Sequence, residues 1–147
     1  MMKLRLAQES DANQLVSMAQ IFLEGAKHSN YEDVLEYLKN SGDIICVVEY
    51  NSTVVGYCCG RISRHLSFKE PIADILEIFL MKDYRGKGIG KILLDYMEAE
   101  FTRRGAERVR IFVRQGSESA RKFYSACGYN EFDMVMCRKD NRANTIQ

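Results

Sequence analysis

The segment Leu80-Met81-Lys82-Asp83-Tyr84-Arg85-Gly86-Lys87-Gly88-Ile89-Gly90-Lys91 carries the strongest chemical signal in the chain. An apolar run enters a glycine-rich turn, and the turn opens a long amphipathic stretch. A helix start leaves its first backbone N–H groups without partners and carries the positive end of the helix dipole, so it attracts anions. Glycines at 86, 88 and 90 remove side chains that would hold a phosphate away from those amides. Arg85, Lys87 and Lys91 add positive charge around the same place. Taken alone, the turn reads equally as a tight connection flanked by solvated basic residues. Two familiar nucleotide motifs are ruled out directly. The pattern G-x-x-x-x-G-K-[ST] is absent, and Leu93 stands where G-x-G-x-x-G needs its last glycine.

The remaining reactive side chains form no set by spacing. His28 and His65 make neither a metal pair nor a nucleophilic arrangement, and no metal is expected. The five cysteines, at 46, 58, 59, 127 and 137, are odd in number and contain no C-x-x-C pair. They read as reduced thiols, mostly within apolar segments. Cys127 reads as packing rather than as an acylated nucleophile.

Stepping along the chain places these residues on elements. Lys3 to Ala7 predicts an opening strand, and Ser10 is the expected cap of a helix over Asp11 to Glu24. A second helix is expected over Tyr31 to Lys39. Ile44 to Tyr50 and Thr53 to Ser63 form two β-rich runs joined at Asn51-Ser52, a hairpin pattern. After a loop from His65 to Pro71, Ala73 to Lys82 is apolar except at Asp74 and Glu77, which suits a strand buried on both faces. Ile89, Ile92, Leu93, Tyr96, Met97 and Phe101 repeat at three and four, giving a helix from Gly88 to Arg104. Val109 to Val113 predicts a further strand, Ser117 to Cys127 a helix closed by Gly128, and Phe132 to Cys137 a last strand. Strand-helix-strand order between Ala73 and Val113 implies a parallel crossover within a mixed sheet.

The totals bound the function. At 147 residues the chain suits one domain over 1–138 with a polar tail at 139–147. A chain of this size buries about 70% of its unfolded surface, enough for an independent core. Twenty-one basic against twenty acidic residues leave a formal charge of +1, which argues against a nucleic-acid partner. No apolar run approaches the roughly 20 residues that span a bilayer, so no membrane partner is expected. Met1-Met2-Lys3-Leu4-Arg5-Leu6 is too broken by charge for a secretory signal, and a cytoplasmic protein is expected.

In its strand-turn-helix context, Arg85-Gly86-Lys87-Gly88-Ile89-Gly90 resembles the R/Q-x-x-G-x-G/A signature of the GCN5-related N-acetyltransferases (GNAT). Ser117-Glu118-Ser119-Ala120-Arg121-Lys122-Phe123-Tyr124 resembles the family's N-x-x-A-x-x-x-Y helix, and Gly128-Tyr129 its glycine-aromatic pair. The likeness covers nearly the whole chain. It implies an α/β (α+β) fold: a mixed, mostly antiparallel central sheet with a splayed parallel strand pair and helices on both faces. It implies acetyl-CoA as co-substrate, its pyrophosphate on the amides of Gly86, Lys87, Gly88, Ile89, Gly90 and Lys91, with Arg85 alongside. Its pantetheine arm would lie between splayed strands, near Phe79-Leu80 and Arg110 to Val113, and pair with backbone at Phe79 and Leu80. A backbone N–H near Leu80 would meet the charge that develops on the thioester oxygen. Ser117 replaces the usual asparagine, so this cofactor contact is reduced to one hydroxyl.

The same resemblance points to Tyr124 as the acid that protonates the departing thiolate. A lysine-like amine of pKa about 10 arrives protonated. Glu77 is the best-placed carboxylate to accept that proton or hold the cation, ahead of Asp74 and Glu70. The implied reaction is direct transfer, in a ternary complex, to a small primary amine such as a polyamine, an aminoglycoside or an amino acid. Two alternatives stay open: acetylation of proteins or peptides, and a non-catalytic acetyl-CoA-binding regulatory module. Acidic residues Glu24, Glu32, Asp33 and Glu36 suit a cationic acceptor or, equally, a solvated helix face. Edges of such sheets often pair between subunits, which leaves a homodimer open.

Overall fold

Residues 1–24 and 27–141 are described by the computed structural model. Five strands form among the described residues: β1 (Met2–Leu6), β2 (Ile44–Tyr50), β3 (Thr53–Ser63), β4 (Ile72–Leu80) and β5 (Arg108–Ile111), the central three rich in β-branched and aromatic residues. They lie side by side in chain order. Neighbours from β1 to β4 are antiparallel, and β4 and β5 are parallel. The β2–β3 hairpin closes on Asn51 and Ser52, whose φ values of 49° and 67° match the twist that a two-residue connection needs.

Helices cover both faces of this sheet. On one face, Val47, Tyr57, Cys59 and Phe79 pack with Leu15 and Met18 of α1 (Ala12–Phe22) and with Val34, Tyr37 and Leu38 of α2 (Tyr31–Asn40). On the other lies α3 (Ile89–Arg103), the parallel crossover, which buries Leu93, Leu94, Met97 and Phe101 completely. Each such side chain is worth about 1.5–3 kcal/mol of apolar burial. Gly60 of β3 lets the helix come close, since a Cβ there would lie 2.3 Å from Phe101 Cζ. The helix ends at Gly105 (φ 92°), where Ala106 N–H donates to Phe101 O at 3.0 Å and Gly105 N–H to Thr102 O at 3.0 Å.

The helix starts differ from expectation in one place. Ser10 does not cap α1; a 3-10 turn over Glu9–Asp11 leads into it. The carboxylate of Asp11 accepts Gln8 N–H at 2.7 Å and both terminal nitrogens of Arg5 at 2.8 Å. That buried charge pair fixes the entry more strongly than a serine hydroxyl would. At α2, Asn30 accepts Asp33 N–H at 2.8 Å while Asp33 accepts Asn30 N–H at 3.0 Å, a reciprocal cap. Asp33 is therefore occupied by the cap, and Glu36 by Asn40 at 2.8 Å.

The chain forms two compact units, Met1–Phe112 and Val113–Gln147. Everything above belongs to the first. The second contains α4 (Glu118–Ala126) and the segment that follows it. Phe132 to Cys137, expected as a strand, has no strand conformation. Its apolar side chains are exposed, Phe132 at 82% and Val135 at 83%. Consecutive apolar positions 134–137 break the alternation that would give a strand one buried face, and no ladder partner forms among the described residues. β5 likewise ends at Ile111 rather than Val113. Of the expected polar tail, residues 142–147 lie outside the described residues.

Candidate active site

Strand β4 is kinked by one extra residue. Cys59 lies opposite Glu77 but Gly60 lies opposite Ile75, so Leu76 is a bulge. The bulge turns Glu77 onto the α1/α2 face, beside Tyr57 and Phe79. Asp74, opposite Arg61, shares that face in spite of its odd spacing from Glu77. Past the bulge β4 also loses its parallel neighbour. The β4–β5 ladder pairs Ile72 to Ile75 with Arg108 to Ile111 and stops, while β4 runs on to Leu80.

The open edge has a definite hydrogen-bonding pattern. Met81 N–H donates to Val55 O at 2.8 Å. Alternation along an antiparallel ladder then pairs the backbone of Phe79 with Tyr57 and turns the N–H and C=O of Leu80 towards the open side. Arg85 Nε reaches this side and donates to Leu80 O at 2.7 Å, with its guanidinium 5.4 Å from the Phe79 ring centroid. The Leu80 carbonyl is thus engaged, and the Leu80 N–H faces the gap.

From this edge the chain passes through a 3-10 turn, Lys82–Tyr84, into Gly86 (φ 73°) and Gly88 (φ 81°). Gly88 is the left-handed N-cap of α3. A Cβ on Gly86 or Gly88 would meet nothing within 4 Å, so space lies open over both. Glycine is demanded here by backbone conformation, since a left-handed residue with a side chain is strained by roughly 1–2 kcal/mol. The N–H groups of Ile89 and Gly90 stand in the first helical turn, where no intrahelical acceptor exists. Arg85 and Lys87 are exposed beside them. Lys91 is paired with Asp95 at 2.8 Å, which shares its charge.

The carboxylates expected near the acceptor now separate. Asp74 is held by both Nε and a terminal nitrogen of Arg110, at 2.8 and 3.0 Å. Glu70 is exposed in the loop before β4. Glu77 is half-buried and has no ion pair among the described residues; its Oε1 accepts the Tyr57 hydroxyl at 2.9 Å. Beside it, Tyr37 of α2 donates to Asp43 at 2.6 Å, and Arg61 grips the same carboxylate at 2.8 Å through two nitrogens.

Electrostatics on this face favour uncharged donors. Burial, followed by the charge of Glu77, pushes the Tyr57 phenol far above its ordinary value. Burial and then donation to Asp43 do the same to Tyr37, and burial and then Glu77 raise the Cys59 thiol. For Asp43, burial pushes upward, but bonds from Arg61 and Tyr37 outweigh it and hold the carboxyl below its usual range. Tyr37, Tyr57, Asp43 and Arg61 were not marked by motif. The signal that could have found Tyr57 and Arg61 is their alternation with Cys59 along an otherwise apolar strand.

The second unit carries the other expected residues. Ser117 precedes α4, but its side chain makes no capping bond. Gly128 (φ 94°) ends the helix: Tyr129 N–H donates to Tyr124 O at 2.9 Å and Gly128 N–H to Ser125 O at 3.0 Å. This motif brings the third-last helical residue against the residue after the glycine. Accordingly, the half-buried Tyr124 ring lies 6.0 Å from Tyr129, edge-on, and 5.1 Å from Phe123. Arg121 pins the following segment through Glu131, two bonds of 2.8 Å, and accepts no freedom at its other nitrogen, which donates to Gln115 O at 2.8 Å.

The chain is similar to known proteins in sequence and in fold. The sequence pattern of the Acetyltransferase (GNAT) family matches residues 12–129. An uncharacterized N-acetyltransferase of Methanocaldococcus jannaschii is 33% identical over 101 residues, 67% of this chain but 44% of that protein's length. An acetyltransferase of Yersinia pestis is 25% identical over 107 residues, 73% of this chain and 72% of the relative. An aminoglycoside acetyltransferase from an uncultured soil metagenomic sample, solved with sisomicin, has the same fold: TM-score 0.83 and 16% identity, covering 97% of each chain. With the family pattern spanning both the glycine turn and the Tyr124 helix, the chain belongs to the GNAT family of acetyltransferases.

Proposed function

We propose that the protein transfers the acetyl group of acetyl-CoA to a primary amine of a small molecule, by direct attack within a ternary complex. One observation carries the reading. The end of β4, beyond its parallel pairing with β5, runs directly into a glycine turn with open space over Gly86 and Gly88, which gives an extended thioester arm and its diphosphate adjoining places to bind. Acetyl-CoA, when bound, supplies the activated acetyl group.

The chain's own residues divide the remaining work. Amides of Gly86 to Lys91, with Arg85 and Lys87 nearby, hold the diphosphate. Backbone at Phe79 and Leu80 borders the pantetheine arm, and Leu80 N–H receives the oxygen on which negative charge builds. Glu77, a carboxylate without a counter-ion among the described residues, attracts the acceptor ammonium and takes its proton. Ser117 offers a single hydroxyl to the cofactor, and Tyr124 returns a proton to the departing sulfur. The Tyr124 assignment rests on the family pattern, which runs through residue 129.

The test is acetyl-CoA incubated with sisomicin, spermidine, free amino acids and an alanine-led peptide, with released thiol measured. Turnover of one of the small amines above the hydrolysis background is expected. Turnover of the peptide alone would reassign the acceptor. Tight acetyl-CoA binding without turnover of any amine would make the protein a binding module instead.

A further inference from the structure

We infer that Tyr57 is a positioning residue for Glu77: its phenol clamps Oε1 and leaves Oε2 directed at the acceptor nitrogen. The inference rests on the reading of Glu77 as the group that receives the amine. The hydroxyl lies 2.9 Å from Oε1, and the tyrosine is only 3% exposed. Its ring is further held against Phe79, at 5.9 Å between centroids. An ionised carboxylate has no proton to give, so the phenol must be the donor.

The surroundings make this single bond decisive. Facing Glu77 are Cys59, directly opposite on β3, and Tyr37, reaching from α2 and already bonded to Asp43. Asp43 is itself gripped by Arg61, and Asp74 on the same face is held by Arg110. None of these makes a hydrogen bond or an ion pair to Glu77 among the described residues. The Tyr57 bond therefore fixes the side-chain rotamer and leaves Oε2 to take the proton. In turnover the N–H bond of the ammonium breaks, its proton passes to Oε2, and the freed lone pair is the nucleophile.

The test is a carbon-13 NMR titration of the Glu77 carboxyl, assigned by its loss in Glu77→Gln, compared between the wild type and Tyr57→Phe. Removing a donor to the ionised form makes protonation easier, so the midpoint is expected to rise by about 0.5–1 pH unit. The acid limb of kcat/KM, for whichever panel amine is turned over, should rise with it. Rates on that limb then fall by about three- to tenfold. Tyr57→Phe added to Glu77→Gln should cost nothing further. If Tyr57→Phe does not fold, 3-fluorotyrosine at position 57, a stronger donor of nearly the same shape, should move the midpoint down. An unmoved midpoint in a folded variant overturns the inference alone. A moved midpoint with a rate profile indifferent to Glu77→Gln overturns the reading beneath it, and with it any part for Tyr57 in turnover.

Discussion

Tyr124 illustrates how much a local motif can do for a single side chain. It occupies the third-last position of its helix, and the left-handed glycine at 128 folds Tyr129 back onto its ring. A tyrosine restrained in this way keeps its hydroxyl in one place at low entropic cost. A thiolate whose acid has a pKa of about 8.5 leaves without help, though faster with it. Tyr124→Phe is therefore expected to lower kcat by about a hundredfold, the low end of general-acid effects, with acetyl-CoA affinity by calorimetry essentially unchanged. An unaltered kcat, with chemistry shown to limit the rate, removes the acid role. At this scale the left-handed glycines at 86 and 88 were legible in the sequence, whereas the roles of Glu77, Arg85 and Tyr124 belong to the proposal. Tyr57 and Arg61 were not legible: alternation with Cys59 puts them on one face, but what that face meets depends on the bulge at Leu76, which the sequence does not mark.

Between elements, the tightest fit is α3 against β3 at Gly60. A methyl group there would sit 2.3 Å from Phe101 Cζ and 3.1 Å from Met97 Sδ, both on fully buried side chains. Gly60→Ala is expected to destabilise the fold by about 1–3 kcal/mol through overpacking, read from urea unfolding. Phe101→Leu alone opens space and should also cost stability. Combined with Gly60→Ala it should cost less than the two single losses added together, because the new methyl fills the space vacated by the ring. Strict additivity would show that the two residues do not meet. The hairpin strands β2 and β3 were legible to the residue, since Asn51-Ser52 admits only a tight turn. The segment 132–137 was misread because a strand is specified jointly by its own residues and by a partner edge. Apolar composition alone supplies only the first.

Across the whole molecule, near-neutral net charge conceals a few carboxylates on which the fold leans. Asp11, 6% exposed at its side chain, and Asp43, 2% exposed, are each gripped by an arginine. The hydrogen bond from Arg5 chiefly lowers the Asp11 carboxyl, and the net shift of Asp43 is also downward. Both groups are therefore easier to protonate in the unfolded chain, where carboxyls titrate near about 3.9. Their contribution is fully present above that value and is lost as pH falls through the lower folded values. At the alkaline end the sign reverses. Burial raises the phenols of Tyr37 and Tyr57, so their contribution is present below about 10, the unfolded value, and is lost as pH climbs beyond it. Stability should thus form a plateau between these limits. Asp11→Asn tests the acid side, because asparagine keeps the shape and can still accept Gln8 N–H while losing the charge that Arg5 grips. Urea unfolding at neutral pH should show a loss of about 1.5–3 kcal/mol, the range for a bond to a charged group. Below about pH 5 the variant should lose less further stability than the wild type, since its share of the acid-sensitive term is already gone. Two curves that fall in parallel would mean that the Arg5–Asp11 pair carries none of the acid sensitivity, and would shift the burden to Asp43 and its own arginine.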